Sequence, residues 1–353
     1  MGPVVSGITG IKGSVYTLKP IKIGFDLGNN SLKIAVNRRG SLEFHECPLP
    51  ENLIEEDTVT MPHAFSSFLK KVKKDLRLPS GTAGLLLPSS QVICRLVTMP
   101  RMSIDQLMLN LPHEFSDFIH GEPHQYHCDY ALCEEPPQEE EPEYAEMTMM
   151  AAVVEKQQVI AYGRMFAAGG FPLRLILPQE MALINLVKAH CQLHPDAPKE
   201  FCFIDLGYLS TRIFIVHHDR IQATRRIPTG CRELDQVIAD LLNVDRFLAD
   251  SYKRGNHQNI LEADRCIEIY EHIAVEVLKL VNFYHFTYRQ NQLNGIYLIG
   301  GGAEIKPLCR ILEEATSLPA LSVQELLANT TGEAAWNACV CAAGLLTDTG
   351  KEG

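Results

Sequence analysis

The sequence predicts an α/β protein built from two lobes, because one strand–turn–strand pattern occurs in each half of the chain. The first copy, FDLGNNSLKIAV, spans residues 25–36, and the second, IDLGYLSTRIFIV, spans residues 204–216. Aligned on their aspartates, both copies contain Asp-Leu-Gly, then Ser, a basic residue and Ile. At 353 residues the chain is also long for a single domain. We therefore expect two duplicated lobes with one such hairpin in each.

The composition is that of a globular protein with a full core, since 46% of the residues are hydrophobic and 21% are charged. The formal net charge of -11 argues against nonspecific nucleic-acid binding, which needs a cationic surface. No stretch offers the ~18 consecutive apolar residues of a membrane-spanning helix, so direct membrane insertion is not expected. The eleven cysteines are odd in number and several lie in apolar runs, which favours reduced thiols and a cytoplasmic location.

The first lobe is predicted to comprise residues 21–98 and 171–200, preceded by an N-terminal tail at residues 1–20. Two β-type runs flank the Gly-Asn-Asn turn of the first hairpin. Further strands are expected at residues 42–47, 84–87, 92–98 and 173–176, and helices at residues 65–76 and 179–190.

The intervening residues, 99–170, are predicted to form a small inserted α/β subdomain. MSIDQLMLNLPHEFSDFI indicates a helix interrupted by proline, and strands are expected at residues 125–133 and 147–154, with a helix at 159–168. The acidic, proline-rich residues 134–146 favour a solvated hairpin loop. Because this subdomain has no motif of a nucleotide site, we expect it to bind a partner through an edge strand or an adjacent groove.

The second lobe is predicted to have a core of residues 201–228 and 290–346 and a helical subdomain of residues 229–289. Two short helices and one long amphipathic helix are expected in the helical subdomain. The apolar face of the long helix consists of Ile267, Tyr270, Ala274, Val277, Val281 and Tyr284. A buried strand, two further helices and a C-terminal tip at residues 347–353 complete the chain.

The repeated hairpin has the chemistry of a phosphate-binding turn. In each copy an aspartate at the end of a buried strand is followed by glycine and then by a hydroxyl residue. Glycine leaves backbone N–H groups open to an oxyanion, and a carboxylate can hold Mg²⁺ through water. Two such turns facing each other would clamp the β- and γ-phosphates of a nucleotide. The candidate residues are Asp26, Gly28, Asn29, Asn30, Ser31 and Lys33 in the first turn and Asp205, Gly207, Tyr208, Ser210 and Thr211 in the second.

Within this clamp, Asp26 and Asp205 are the predicted magnesium ligands, and Lys33 is predicted to add positive charge beside the phosphates. The amide and hydroxyl residues of both turns are equally well explained as ordinary turn formers. A glycine-rich turn after the buried strand near residue 298 would let the backbone lie flat against a purine or ribose. This turn consists of Gly300, Gly301, Gly302, Ala303 and Glu304.

Taken in order, these three motifs resemble the phosphate-1, phosphate-2 and adenosine motifs of the actin, sugar-kinase and heat-shock-chaperone ATPase superfamily. Within it the chain is most similar to the FtsA-like PilM family of type IV pilus assembly. MPRMSIDQL and HEFSDFI resemble the opening of that family's insert, and MMAAVVEKQQVIAYGRMFAAGGFPLRLI resembles its strand, helix and turn. RRIPTGCRELD is similar to an Arg-x-Ile-x-x-Gly-Gly element and ADSYKRG to an Ala-Glu-x-x-Lys element. The resemblance covers residues 21–346.

The resemblance implies an actin-like ATPase fold of two duplicated ribonuclease-H-like lobes with a small α/β insert. It implies ATP and Mg²⁺ as cofactors, with Asp250 and Lys253 near the ribose and adenine. It implies catalytic roles for Asp205 and for Gln179, which would orient a water; Glu180 is a rival, and helix capping is an alternative role for both. The implied partner is the cytoplasmic tail of a PilN-like inner-membrane protein, which would place the chain at the inner face of the membrane. A homo-oligomer is compatible with the resemblance.

Three residues depart from the family's pattern. Tyr208 stands where a small residue is usual, Cys231 replaces a glycine, and Asp250 replaces a glutamate. We therefore expect at most slow ATP hydrolysis. A small-molecule kinase of the same superfamily, an FtsA-like filament-forming division protein, and a scaffold of the related type II secretion system are alternative functions.

Overall fold

In a computed structural model the described residues are 21–133, 146–327 and 336–347. The predicted N-terminal tail and nearly all of the predicted acidic loop and C-terminal tip lie outside the described residues. The strands are β1 (Ile23–Leu27), β2 (Ser31–Arg38), β3 (Ser41–Pro48), β4 (Ile54–Glu55), β5 (Thr58–Val59), β6 (Ala83–Leu87), β7 (Val92–Pro100), β8 (Tyr126–Leu132), β9 (Glu146–Glu155), β10 (Leu173–Pro178), β11 (Glu200–Leu206), β12 (Thr211–His217), β13 (Arg220–Ile227), β14 (Ile296–Ile299) and β15 (Ala320–Leu321).

The helices match the predicted ones closely, with ends that differ by a few residues. They are α1 (Pro62–Asp75), α2 (Ile104–Asn110), α3 (Lys156–Ala168), α4 (Gln179–Leu193), α5 (Cys231–Leu242), α6 (Arg246–Arg254), α7 (Asp264–Thr287), α8 (Lys306–Thr316) and α9 (Trp336–Ala343). Among the described residues, none of these helices is both long and apolar enough to span a membrane.

Two five-stranded sheets share one topology. The first has the order β10-β6-β1-β2-β3 and the second the order β13-β12-β11-β14-β15. In each, three consecutive strands pair antiparallel, and the first of them also pairs in parallel with a later strand. The predicted α/β fold of two duplicated lobes is therefore confirmed.

The central strands β1 and β11 are buried because both faces of their sheets are covered. A strand covered on both faces reads as a nearly continuous apolar run, as IGFDL and EFCFIDL do. Phe25 packs edge-on against Phe166 and Phe171, with ring centroids 5.2 and 4.9 Å away. In both strands the aspartate stands near the carboxyl end, where the sheet edge opens onto the space between the lobes.

A third sheet, of order β7-β9-β8, has its own small core together with α2. The predicted proline interruption is present, since α2 ends at Asn110 and a 3₁₀ helix, Leu111–Phe115, follows. The predicted start of the insert at residue 99 falls inside β7, and α3 packs against α1 and β1 through Phe166. We propose that the inserted region runs from Val92 to Glu155 and that α3 belongs to the first lobe.

Helices α4 and α9 lie between the two sheets, and each packs against both lobes. The predicted division placed α4 in lobe 1, and Leu183 shares one hydrophobic core with Leu177 of the first sheet and with Phe203 of the second. It placed α9 in lobe 2, but a Cβ on Gly24 of β1 would collide with the Ala342 carbonyl. Sequence order does not reveal which sheets a helix contacts, because a helix can cover whichever apolar face is nearest. We propose that these two helices are the structural links between the lobes.

Candidate functional site

A cleft of about 790 Å³ separates the two lobes. Both hairpins, the beginning of α4, the end of α6 and the turn after β14 line it. Most of the predicted site residues lie along its walls. The exceptions are Thr211, Gly300, Gly302 and Ala303, which are not in the lining.

In the first hairpin, Lys33 stands directly across from Asp26 in the β1–β2 register. The Lys33 Nζ lies 3.6 Å from the Asp26 Oδ2. Burial opposes the charge on Lys33, but Asp26 and also Asp205 of the other hairpin outweigh burial and raise the pKa of Lys33 above its usual value. Lys33 therefore remains protonated and lies within electrostatic reach of both aspartates.

The first turn is closed by a bond from the Gly28 N–H to the Ser31 carbonyl, 3.0 Å long. Asn29 exchanges two hydrogen bonds with Asp57, donating from its amide and accepting from the Asp57 N–H. The Ser31 hydroxyl donates to Glu46 at 2.6 Å. The predicted cradle residues are thus brought together, but Asn29 and Ser31 already have acidic partners.

In the second hairpin, Arg212 stands directly across from Asp205 in the β11–β12 register. The Asp205 Oδ2 accepts one hydrogen bond from an Arg212 Nη and one from the Gln179 Nε2, both 2.9 Å long. Burial alone would raise the pKa of Asp205, but Arg212 and Lys33 outweigh burial and lower it. Asp205 is therefore a buried carboxylate that stays ionised.

The remainder of the second turn is tightly packed. A Cβ on Gly207 would stand 2.7 Å from the Ser210 carbonyl. The Thr211 hydroxyl donates to the Thr229 carbonyl at 2.9 Å. The Tyr208 hydroxyl accepts a hydrogen bond from Arg246. Tyr208 is thus held by α6, whereas Thr211 is turned into the protein.

The glycine-rich turn begins at Gly300, whose φ of +84° favours glycine. A Cβ there would lie 2.5 Å from the Asp205 Oδ1. The turn therefore approaches the second aspartate more closely than a side chain permits. Gly301 and Glu304 line the cleft, while Gly302 is buried.

Asp250 and Lys253 come together at the end of α6. The Lys253 Nζ lies 2.9 Å from Asp250 and also bonds to the buried Asp235. Asp250 is in turn 2.9 Å from the Arg254 Nε. Both predicted residues line the cleft, but each is engaged in an ion-pair network within the second lobe.

Gln179 and Glu180 are the first two residues of α4, and both are buried. Besides Asp205, the Gln179 Nε2 lies 3.2 Å from the Cys341 Sγ. Burial raises the pKa of Glu180. Within the described residues, the Gln179 Oε1 and the Glu180 Oε2 have no hydrogen-bond partner. Gln179 is therefore the residue that contacts the predicted phosphate clamp, through its amide donor.

Arg212 is the main residue that the sequence predictions missed. It lines the cleft and binds Asp205, yet only Lys33 was assigned to the phosphates. The signal was present in the repeat, because aligning the two hairpins places Arg212 on Lys33. Glu46 and Asp57, which hold the first turn, lie outside the repeat and have no such signal.

The donor set does not fit a magnesium ion as these side chains stand. Mg²⁺ prefers oxygen ligands and commonly uses one or two carboxylates. Here Asp205 is bonded to Arg212 and Gln179, and Asp26 is paired with Lys33. As these side chains stand, cationic or amide partners already occupy the positions beside the Oδ2 of each aspartate, where a directly bound Mg²⁺ would lie. A magnesium ion held through water, as predicted for Asp26 and Asp205, stays a prediction.

Two duplicated lobes, each with an aspartate-led hairpin on one side of a common cleft, define an actin-like ATPase fold. The family described as "Type IV pilus assembly protein PilM" matches residues 24–336 of the chain. The chain therefore belongs to the PilM family of type IV pilus assembly proteins.

Solved structures share this fold. A structure described as a PilM–PilN type IV pilus biogenesis complex has a TM-score of 0.77 at 20% identity, covering 92% of this chain and 97% of that chain. The ethanolamine utilization protein EutJ from Carboxydothermus hydrogenoformans has a TM-score of 0.56 at 14% identity, covering 94% and 90%. MreB5 of Spiroplasma citri bound to AMPPNP has a TM-score of 0.51 at 12% identity, covering 92% and 93%. At these identities the similarity establishes the fold alone.

Proposed function

We propose that the chain is an actin-like ATP-binding scaffold of type IV pilus assembly. One observation carries the nucleotide part of this proposal: two matching hairpins from two lobes face one cleft, and Asp26, Lys33 and Asp205 all line it. The nucleotide in the MreB5 structure of similar fold supports the choice of a nucleoside triphosphate. ATP bound here would join the lobes and set the shape of a partner-binding surface.

The proposed partner is the cytoplasmic tail of a PilN-like inner-membrane protein. Family membership and the PilM–PilN complex of similar fold support it. The inserted region offers a cavity of about 310 Å³ whose lining includes the apolar side chains Ile104, Leu107 and Leu132, together with Arg101 and Glu146. Ile104 and Leu132 are 48% and 46% exposed, which suits contact with an extended peptide. Through this partner the chain would sit at the inner face of the membrane.

Calorimetric titration with ATP tests the nucleotide site. Lys33→Met removes the cation of the first hairpin that lines the cleft, and it is expected to weaken ATP binding at least about tenfold. Lys70→Met, at an exposed position of α1 outside the cleft, is the matched control and leaves the affinity unchanged. Absence of ATP binding by the unaltered protein, or equal affinity in the Lys33 variant, would overturn the assignment.

Fluorescence anisotropy with a labelled PilN-like cytoplasmic tail tests the partner surface. Ile104→Asp is expected to weaken binding of the tail at least about tenfold while ATP affinity stays unchanged. Val275→Asp is the matched control, because Val275 is 50% exposed on α7 and lies outside the inserted region. Equal affinity of the Ile104 variant and the control would place the partner on another surface.

A further inference from the structure

Arg212 lies where the two sides of the cleft meet. One Nη donates to Asp205 of its own lobe at 2.9 Å, and the other donates to the Ser89 hydroxyl at 3.2 Å. Ser89 follows β6 of the first sheet, whereas Arg212 is in β12 of the second. The guanidinium therefore bridges the two lobes within the cleft.

Acidic side chains surround this guanidinium. Burial opposes its charge, but Asp205, then Glu180 and then Asp26 raise the pKa of Arg212. Because a guanidinium is protonated at any ordinary pH, it forms a permanent positive charge among three carboxyl groups. A divalent cation bound among these carboxyl groups would supply positive charge in the same way.

Lys33 completes the arrangement. Its register position across from Asp26 matches that of Arg212 across from Asp205. Each aspartate thus faces one cation from its own hairpin, so the two pairs together have no net charge. Without these cations, two carboxylates in one cleft would repel a polyphosphate and would need a metal ion to offset their charge.

Resting on the proposed nucleotide site, we infer that Arg212 and Lys33 take the place of a divalent cation, so that the chain binds a nucleoside triphosphate without magnesium. Arginine suits this role because its planar fork can bind an acidic partner and a phosphate oxygen at the same time. The bonds to Asp205 and Ser89 hold the fork in position before the nucleotide arrives.

Arg226 provides a matched control within the same cleft. It stands directly across from Arg212 in the β12–β13 register and also lines the cleft. Replacing Arg226 removes one positive charge at nearly the same place but leaves the Asp205–Arg212 pair intact. Comparing the Arg226 and Arg212 variants therefore separates the effect of losing one positive charge in the cleft from the effect of losing the positive charge paired with Asp205.

The test is calorimetric titration of the full chain with ATP, once in excess magnesium and once in excess EDTA. For the unaltered protein we expect the two dissociation constants to agree within about threefold. Arg212→Ala is expected to bind at least about tenfold more weakly in EDTA than in magnesium, because Asp205 then needs a metal ion. Arg226→Ala is expected to weaken binding under both conditions by the same factor, and Arg212→Lys to remain independent of magnesium.

Binding by the unaltered protein only in magnesium would overturn this inference and leave the proposed nucleotide site standing. An Arg212→Ala variant that still binds equally well in EDTA and in magnesium would overturn it as well. Absence of ATP binding under both conditions would instead contradict the proposed function itself. Thermal unfolding followed by circular dichroism identifies any variant that fails to fold, and the comparison on the unaltered protein decides the question even then.

Discussion

The two hairpins of the cleft have the same spacing and register but different surroundings. In each, a basic residue seven positions after the aspartate stands directly across from it. Asp26 has only a 3.6 Å contact with Lys33, and its side chain is 20% exposed. Asp205 has two bonds of 2.9 Å, and its side chain is 6% exposed.

This difference shows that a duplicated motif can serve two purposes in one site. The second hairpin is fixed by Arg212, by Gln179 and by the close approach of Gly300, so it forms a rigid wall. The Asp26–Lys33 contact at the first hairpin is longer and more exposed to solvent than the Asp205–Arg212 contact at the second. The side chains of the first hairpin can therefore rearrange around a ligand. We therefore expect substitutions in the second hairpin to affect folding more than equivalent substitutions in the first.

The largest expected effect is on the two aspartates. Asp205→Ala leaves the Arg212 guanidinium without its buried partner and should lower the free energy of unfolding by about 3 kcal/mol. Asp26→Ala breaks a longer and more exposed ion pair and should lower it by less than about 1 kcal/mol. Urea unfolding of both variants measures the difference.

A double variant checks the cause of that difference. Adding Arg212→Leu to Asp205→Ala removes the unpaired charge and should recover part of the lost stability. Equal losses for Asp26→Ala and Asp205→Ala would contradict the view that the second hairpin is the rigid one.

The next largest effect concerns the equivalent glycines, Gly28 and Gly207. A Cβ on Gly207 would stand 2.7 Å from the Ser210 carbonyl, so the backbone must move, and we expect Gly207→Ala to cost about 2 kcal/mol. A Cβ on Gly28 would stand 3.2 Å from the Ser31 carbonyl, and we expect Gly28→Ala to cost less than about 1 kcal/mol. Thermal and urea unfolding of the pair give the ranking, and a reversed order would contradict the packing difference.

Local patterns made much of the fold predictable. The strand pattern around Asp26 and Asp205 specified both hairpins, and the apolar spacing of α7 specified its buried face, including Tyr270, Val277 and Tyr284. The packing of α4 and α9 against both sheets was not predictable, because no local signal states which sheets an apolar helix will contact.

The candidate site was predictable to a different extent in its two halves. The repeat located both aspartates and Lys33 in one cleft. It did not show that the Thr211 hydroxyl points into the protein and donates to the Thr229 carbonyl. The sequence of a turn does not indicate whether a hydroxyl faces the cleft or the protein interior. Nor did it show the Ser89–Arg212 bond, which joins residues 123 positions apart. Whether the lining residues bind a nucleotide stays a prediction.

A smaller effect is expected from pH, with opposite signs for two neighbouring carboxyl groups. The pKa of Asp205 is lowered in the folded chain, so its contribution to stability is present above the unfolded value of about 3.8 and is lost as pH falls through the folded pKa. The pKa of Glu180 is raised by burial, so stability is lost as pH rises from about 4.5 through the folded pKa.

Urea unfolding at several pH values separates the two. The deficit of Asp205→Asn relative to the unaltered protein should shrink on acidification below about pH 4. Glu180→Gln should gain stability relative to the unaltered protein as the pH rises above about 4.5. A pH-independent difference for Asp205→Asn would show that its ion pair with Arg212 does not stabilise the fold.

The smallest effect is expected at the residue after the glycine in each hairpin, Asn29 in the first and Tyr208 in the second. Asn29→Ala removes two hydrogen bonds to Asp57 and should cost about 1 kcal/mol. Tyr208→Phe removes only the acceptor of an exposed hydrogen bond from Arg246. The aromatic ring stays in place, with its centroid 5.2 Å from the guanidinium carbon of Arg246. The substitution should therefore cost less than about 0.5 kcal/mol. Here the order of the hairpins is reversed, because the first turn depends on side-chain bonds whereas the second is held by backbone packing at Gly207. A larger loss for Tyr208→Phe than for Asn29→Ala in urea unfolding would mean that the contact with α6, and not that packing, keeps the second turn rigid.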